Sequence, residues 1–145
     1  MIGLLQRVSS ASVSVAGRDV GAIGDGLLVL VGVQKDDTEA RADRLLERLL
    51  SYRVFPDAQG RMNLSLRDVQ GALLLVSQFT LAADTDSGTR AGFSTAAEPA
   101  RARELFEHLL AKARAAWPQV AAGEFGADMT VSLVNEGPVT FWLES

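Results

Sequence analysis

Three polar residues, Ser77, Gln78 and Thr80, flank Phe79 where an apolar run ends in the stretch LLLVSQFTLAAD. Polar side chains at the end of a buried strand are held on a rigid frame and are suited to forming a site. Thr80 offers a hydroxyl nucleophile, although the sequence supplies no base for it, and Gln78 or main-chain N–H groups offer oxyanion stabilisation. The alternative is that these groups only satisfy backbone hydrogen bonds at the strand end.

A second stretch, NEGPVTFW, places Gly137-Pro138 between the strand-like runs MTVSLV and VTFWL. Proline cannot donate a hydrogen bond to a sheet and glycine weakens a strand, so the pair interrupts regular pairing. A turn between two strands would account for it, and so would a backbone feature with a function. The residues alone leave both interpretations open.

The residues that build most hydrolytic and metal sites are scarce in this chain. There is no cysteine, and the single histidine, His108, is predicted on the solvent-exposed face of a helix. A Ser-His-Asp triad and the usual transition-metal sites are therefore disfavoured. Asp36-Asp37 suits helix capping better than cation binding, and Asp84 and Asp86 are predicted to be loop residues rather than metal ligands. Phosphate-binding glycine motifs are absent as well, so we expect no metal and no cofactor.

The composition is that of one globular domain, which we predict to span residues 1–145. Hydrophobic residues make up 48% of the chain, and no apolar run reaches the roughly 20 residues of a membrane helix. The start of the chain lacks the pattern of a secretory signal, so a cytoplasmic protein is expected. The net charge of −4 argues against a broad nucleic-acid-binding surface but leaves room for local phosphate contacts by arginine.

Two amphipathic helices are predicted. The first is capped by Asp36 or Asp37, since Asp36 and Glu39 have capping-box spacing. The second begins at Glu98-Pro99, because proline suits the first helical turn, and stops before Pro118. Each helix has an apolar stripe that needs a partner surface. The stripes consist of Ala42, Leu45, Leu46, Leu49 and Leu50 in the first helix and of Ala102, Leu105, Phe106, Leu109, Leu110 and Ala113 in the second.

The remaining sequence predicts strands and one long loop. SVSVAGRDVGAI alternates and turns at Gly17 as a hairpin does, and MTVSLV and VTFWL predict two strands near the end of the chain. The apolar runs 26–33 and 71–79 are typical of buried strands. Residues 84–95 are polar and show no periodicity, so they are predicted to form a functional loop. We therefore expect an α/β fold, with a mixed, barrel-like curled sheet covered by two main helices.

Taken together, SQFTL at 77–81 and NEGPVT at 135–140 resemble the two signature motifs of the bacterial-type D-aminoacyl-tRNA deacylases, SQFTL and N-x-GPVT. The segments MIGLLQRVSSASV, GLLVLVGVQKDD, GRMNLSL and ADMTVSLVNEGPVTFWL follow in the family's order and spacing, so the resemblance covers the whole chain. It implies hydrolysis of the ester between a D-aminoacyl group and the 3′-terminal adenosine of tRNA. Mischarged glycyl-tRNA is implied as a further substrate.

The resemblance also assigns roles to residues. The segment Ser77, Gln78, Phe79 and Thr80 becomes the catalytic group, which positions water and an oxyanion while a substrate ribose hydroxyl assists proton transfer. A nucleophilic Thr80 remains the alternative. Gly137-Pro138 becomes a cis-peptide selector, whose carbonyls face the substrate α-carbon and exclude an L side chain.

Two further positions are implied to contact substrate. Met129 matches a family position that lines the pocket, although its place in an alternating strand equally fits core packing. Phe93 lies in the long loop, where the family usually has Arg-Pro before a Phe-Ser. Here the loop has Ala91-Gly92 after Arg90 and no proline, so the contact made by this loop is a point of departure from the family.

In the family, Gly-Pro reaches into the active site of the partner subunit, so the resemblance implies a homodimer with active sites at the subunit interface. The macromolecular partner is then the aminoacylated 3′ end of tRNA, for which a few arginines and backbone amides suffice. Two other interpretations stay open: a dimer that binds a tRNA 3′ end or a nucleotide without cleaving it, and a purely structural dimer. The unbroken motifs favour the enzyme, and turnover distinguishes it from a binding module.

Overall fold

The structure, a computed structural model, describes all residues from 1 to 145 and shows a mixed α/β fold. The sheet curls into a nearly closed barrel covered by two main helices, which confirms the predicted fold class. No helix is long and apolar enough to cross a membrane. In chain order the elements are β1 (Ile2–Val15), β2 (Arg18–Ile23), β3 (Gly26–Gly32), α1 (Glu39–Ser51), β4 (Phe55–Pro56), β5 (Met62–Leu64), α2 (Leu66–Val69), β6 (Ala72–Ser77), a 3₁₀ helix (Phe79–Ala82), α3 (Pro99–Ala116), β7 (Val120–Ala122) and β8 (Thr130–Glu144).

Strand β1 organises the sheet because it pairs antiparallel with β2, β3 and β8. Strand β6 lies parallel to both β3 and β7, which gives the order β2-β1-β3-β6-β7, with β8 on the other edge of β1. Strand β2 returns to β7, where a Cβ on Gly21 would lie 2.6 Å from the carbonyl oxygen of Ala122. This close approach, which only glycine permits, nearly closes the barrel.

The apolar runs form the central parallel strands. All residues of β3 except Leu30 and all residues of β6 except Ser77 are buried, as their composition predicts. Strand β6 nevertheless ends at Ser77, two residues before the end of the predicted strand at 79. The last ladder bond runs from the Gln78 N–H to the Val31 carbonyl at 2.7 Å, after which the chain turns into the 3₁₀ helix.

The predicted cap of the first helix is wrong. Thr38 is the N-cap of α1, and its hydroxyl accepts a hydrogen bond from the Arg41 N–H at 3.3 Å. Asp37 is buried instead, and its carboxylate forms an ion pair with the amino group of Met1. All three residues at 36–38 suit capping, and only the tertiary structure brings Met1 to one of them. Helix α3 begins after Glu98 with Pro99 in its first turn, as predicted.

The apolar stripes of α1 and α3 form one side of the main core, a cluster of 22 buried residues that includes Leu27, Val29 and Leu75 from the sheet. All predicted stripe residues are buried except Leu110, which is partly buried. A second cluster of six residues, which contains Leu28 and Val76, belongs to the barrel interior. Neighbouring residues of β3 therefore serve opposite faces, as the alternation of side chains along a strand requires.

Candidate active site

A cavity of about 450 Å³ lies where the parallel strands β3, β6 and β7 end. Ligands in open α/β sheets usually bind at the carboxyl ends of parallel strands, beside the loops that follow them. The position of this cavity fits that pattern. The strand ends contribute Val31, Val76 and Ser77, and the segment after β7 contributes Phe125, Asp128 and Met129. The wall is mostly apolar with a few polar groups, as in most small-molecule sites.

The predicted catalytic segment borders this cavity. Ser77, Gln78 and Phe79 line it, and Thr80 follows as an exposed residue. The 3₁₀ helix begins at Phe79, so its first N–H groups have no acceptor within the helix, and no side chain caps them. The main chain at Phe79 and Thr80 therefore offers hydrogen-bond donors to negative charge at the edge of the cavity.

The Thr80 hydroxyl is held by Gln78, whose side-chain N–H donates a hydrogen bond to it at 2.6 Å. It makes no hydrogen bond with a carboxylate or an imidazole. The single histidine lies elsewhere: His108 Nε2 of α3 is 2.7 Å from Asp43 Oδ1 of α1, and its side chain is only 28% exposed rather than freely solvated. Thr80 therefore lacks the neighbouring base that a hydroxyl nucleophile requires.

An aromatic pair joins the catalytic segment to the predicted loop. The ring centroids of Phe79 and Phe93 are 5.2 Å apart, and the two side chains are 61% and 46% exposed. The loop folds back because Asp84 and Gly92 exchange main-chain hydrogen bonds at 2.8 and 2.9 Å. Phe93 therefore lies beside the catalytic segment, although it does not line the cavity.

Met129 is half-buried: it lines the cavity and also packs on the barrel-interior cluster, while its predicted contact with substrate stays a prediction. Sequence analysis missed its neighbours Phe125 and Asp128, which line the same cavity. The guanidinium of Arg103 lies over the Phe125 ring, 4.8 Å from its centroid, and supports this wall from α3. The available signal was an aromatic and an acidic residue among glycines, GEFGADM, directly before a predicted strand.

Gly137-Pro138 does not form a turn between two strands. Strand β8 continues through it from Thr130 to Glu144, and the pair lies in a bulge opposite Arg7. The strand tolerates the interruption because the Asn135 side chain replaces ladder bonds, with Oδ1 accepting from the Val139 N–H at 2.7 Å. The Gly137-Pro138 peptide bond is cis, as the resemblance implies, and both residues are exposed.

The structure does not bring Gly137-Pro138 to the cavity of its own chain. Ser77 and Met129 line one cavity, whereas the bulge borders a separate hollow that includes Arg7 and Glu136. The candidate catalytic segment and the candidate selector are thus apart within one chain. No group of three or more His, Asp or Glu side chains is arranged to hold a metal ion.

Comparison with known proteins gives matches over the whole chain. The profile of the D-Tyr-tRNA(Tyr) deacylases matches residues 4–144. The chain is similar to the D-aminoacyl-tRNA deacylase of Pseudomonas syringae pv. tomato, at 66% identity with 100% of both chains covered. It is also similar to the D-aminoacyl-tRNA deacylase of Thioalkalivibrio sulfidiphilus, at 65% identity with 99% of this chain and 97% of the relative covered.

Solved structures share the fold. A c-Myc DNA Unwinding Element Binding Protein superposes with a TM-score of 0.95 at 36% identity, covering 100% of this chain and 99% of that one. A probable eukaryotic D-amino acid tRNA deacylase superposes with a TM-score of 0.86 at 18% identity, covering 99% and 98%, which shows likeness of fold alone. Because the family profile and relatives at about two-thirds identity both extend over the whole site, the chain belongs to the D-Tyr-tRNA(Tyr) deacylase family.

Proposed function

We propose that this protein is a D-aminoacyl-tRNA deacylase, which hydrolyses the ester between a D-aminoacyl group and the 3′-terminal adenosine of tRNA and so removes D-amino acids before translation uses them. The observation that carries the proposal is the unbroken SQFTL motif bordering the cavity, in a chain that matches the deacylase family over residues 4–144. Residues 1–145 act as one domain, in the cytoplasm, where charged tRNA is consumed.

The reaction needs a positioned water, an oxyanion site and a route for one proton. The water oxygen adds to the ester carbonyl carbon, and the charge that develops on the carbonyl oxygen is stabilised by the N–H groups of Phe79 and Thr80. The bond between that carbon and the ribose oxygen then breaks, and the proton lost by the water passes to the leaving oxygen through the neighbouring ribose hydroxyl. Gln78 holds the Thr80 side chain, and Ser77 orients the substrate on the cavity wall.

Selection against L-amino acids is assigned to the main chain of Gly137-Pro138. Its carbonyls form a wall near the substrate α-carbon, where an L side chain collides and a D side chain or the hydrogen of glycine does not. A main-chain wall makes no contact with the rest of the side chain, so one enzyme can accept many D-amino acids and glycyl-tRNA. Met129 and Phe93 contribute the surrounding substrate surface.

The selector acts on a second copy of the chain. Gly137 and Pro138 are exposed and do not line the cavity that contains Ser77, and the neighbouring Glu136 lines a different hollow, so both parts meet only if two chains combine. Strand β8 also exposes large apolar side chains, namely Leu133, Val134 and Trp142. Such a surface is suited to burial in a subunit interface. We therefore assign a homodimer with its active sites at the interface.

The test is release of amino acid from one tRNA charged in turn with D-tyrosine, L-tyrosine and glycine. We expect rapid release of D-tyrosine and glycine while the L-ester stays intact. The His108→Ala variant is the matched control, because the proposed mechanism uses no histidine and this side chain binds Asp43 away from the cavity.

Each of the other possible results would contradict a different part of the proposed function. Equal release of both tyrosine enantiomers would keep the hydrolase and remove the selector. Release of neither, with tRNA still bound, would leave a binding module in place of an enzyme. Loss of activity in His108→Ala with the fold intact would contradict the histidine-free mechanism.

A further inference from the structure

The geometry points to Asn135 as the positioning residue of the selector: its side-chain amide fixes the bulge that presents Gly137-Pro138. This inference rests on the proposed function, and it concerns a residue that touches neither the reacting ester nor the cavity. Its basis is the hydrogen bonding of β8 where pairing with β1 is interrupted.

The register of β8 on β1 leaves the bulge without regular ladder bonds. Asn135 pairs with Val8, and Thr140 pairs with Gln6, so the residues at 136–139 face Arg7 alone. A bulge normally inserts one extra residue, and a larger one leaves several backbone groups unpaired. The position of Gly137-Pro138 therefore depends on hydrogen bonds from outside the ladder.

The amide of Asn135 closes the bulge from inside the strand. Its Oδ1 accepts a hydrogen bond from the Val139 N–H at 2.7 Å, and its Nδ2 donates to Thr140 Oγ1 at 3.0 Å. One planar group thereby links Asn135, which precedes the bulge, to Val139 at its end and to Thr140 just after it. The bond to the Val139 N–H is partly buried and so partly shielded from competing water, whereas the bond to the Thr140 hydroxyl is exposed.

Different side chains make the hydrogen bonds at the two ends of the bulge. The Arg7 Nε donates to the Glu136 carbonyl at 3.1 Å, before the selector, while Asn135 holds Val139 after it. Without the amide of Asn135, the Val139 N–H loses its acceptor, and Gly137-Pro138 loses the hydrogen bond that fixes the main chain directly after it. A wall that rejects by collision depends on its position to within a fraction of an ångström.

Two variants of Asn135 distinguish a hydrogen-bonding role of its side chain from a space-filling role. Asn135→Leu keeps the approximate size but leaves the Val139 N–H unpaired. Asn135→Asp loses the long contact of Nδ2 with the Val139 carbonyl, at 3.5 Å, but keeps the acceptor for the Val139 N–H, and the Thr140 hydroxyl can rotate to donate to the carboxylate. A merely space-filling role would make leucine the milder change, whereas positioning by the amide makes aspartate the milder one.

The experiment measures release from D-tyrosyl-tRNA and L-tyrosyl-tRNA by both variants, together with hydrogen exchange of the Val139 amide. For Asn135→Leu we expect the ratio of D-release to L-release to fall about tenfold, the scale of one lost, partly buried hydrogen bond. The Val139 amide should exchange faster in the same variant. Asn135→Asp should restore most of the ratio and of the protection.

Asn63→Leu is the matched control. Asn63 also closes a turn through its amide, donating to Asp57 Oδ2 at 2.9 Å in the β4–β5 hairpin, away from the bulge. It should leave the D-to-L ratio unchanged. An unchanged ratio in Asn135→Leu, in a preparation whose parent protein releases D-tyrosine, would overturn the inference while leaving the proposed function standing. Failure of the parent protein to release D-tyrosine would instead overturn the proposed function.

Discussion

The Thr80 hydroxyl accepts a hydrogen bond from the Gln78 amide and has no base beside it. A hydroxyl in that setting is a poor nucleophile. In the proposed mechanism the residue therefore acts mainly through its main-chain N–H, while Gln78 holds its side chain in place. At the scale of single residues, the proposed mechanism thus relies more on main-chain groups than on side chains.

Replacement of the hydroxyl tests this reading. In Thr80→Val, the main-chain N–H stays in place and the side chain keeps its shape, so we expect D-tyrosine release to fall by less than about tenfold. Removal of a true nucleophile typically costs several orders of magnitude. Single-turnover release from D-tyrosyl-tRNA is the measurement, and a loss of that larger size would restore Thr80 as the nucleophile.

Position 137 requires glycine, because a side chain there would collide with Val139. Its φ is +131°, and a Cβ there would lie 2.6 Å from Val139 Cγ2 and 2.9 Å from the Val139 nitrogen. Gly137→Ala therefore displaces the selector at a local strain of about 1–3 kcal/mol. We expect the D-to-L release ratio to fall about tenfold or more.

Gly17→Ala separates strain from selection, since Gly17 also has a positive φ, +76°, but no atom lies within 4 Å of its would-be Cβ. It should lose stability and keep its stereochemical ratio. A Gly137→Ala protein with full D-release and full L-rejection would contradict the assignment of the selector.

At the scale of elements, the 3₁₀ helix depends on a close approach to β3. A Cβ on Gly32 would lie 2.9 Å from the Leu81 Cβ and 3.3 Å from the Gln78 carbonyl oxygen. Gly32 thus lets the candidate catalytic segment pack against the end of a buried strand. The parallel pairing of β3 with β6, in which Val31 is opposite Ser77, brings the helix to that point.

Gly32→Ala should push the 3₁₀ helix outward. We expect D-tyrosine release to fall about tenfold, with a stability loss of about 1–3 kcal/mol from overpacking. Gly24→Ala is the matched control, because nothing lies within 4 Å of its would-be Cβ. Activity and urea unfolding would be measured on both. Full activity in a folded Gly32→Ala protein would show that the position of this helix does not matter.

The predictions of secondary structure were correct where burial against the core sets the spacing of the apolar residues. The stripes of α1 and α3 and the apolar runs of β3 and β6 were predictable because burial dictates their spacing. The cap of α1 was not, because Asp36, Asp37 and Thr38 all suit the role and the choice depends on where Met1 ends. Strand β8 was divided wrongly, because a proline in a strand normally signals its end.

At the scale of the whole molecule, the proposed homodimer is what would bring the candidate catalytic segment and the candidate selector together. In such a dimer each site takes residues 77–80 from one chain and Gly137-Pro138 from the other. The composition of the dimer then determines which of its two sites carries each defect. In a mixed dimer of Gly32→Ala and Gly137→Ala, one site is intact and the other has both defects. L-ester leakage needs an intact catalytic segment beside a defective selector, and the mixed dimer has no such site.

We therefore expect L-tyrosine release to fall by about half when the two variants exchange subunits, compared with the same amounts kept apart, since random exchange makes about half of all dimers mixed. The molecular mass from light scattering should correspond to two chains. Leakage that does not change on exchange would place both parts of the site on one chain, and a single-chain mass would remove the interface.

The sequence by itself determined the fold class, the helices and buried strands, and the family, because these follow from local periodicity and from two unbroken motifs. It also identified Ser77–Thr80 and Gly137-Pro138 as the residues of interest. Only the tertiary structure decided that Gly137-Pro138 sits in a bulge held by Asn135 and that it lies apart from the cavity lined by Ser77. The physical reason is that strand register and side-chain hydrogen bonds join residues that are distant in sequence. The local periodicity of the sequence does not specify these contacts.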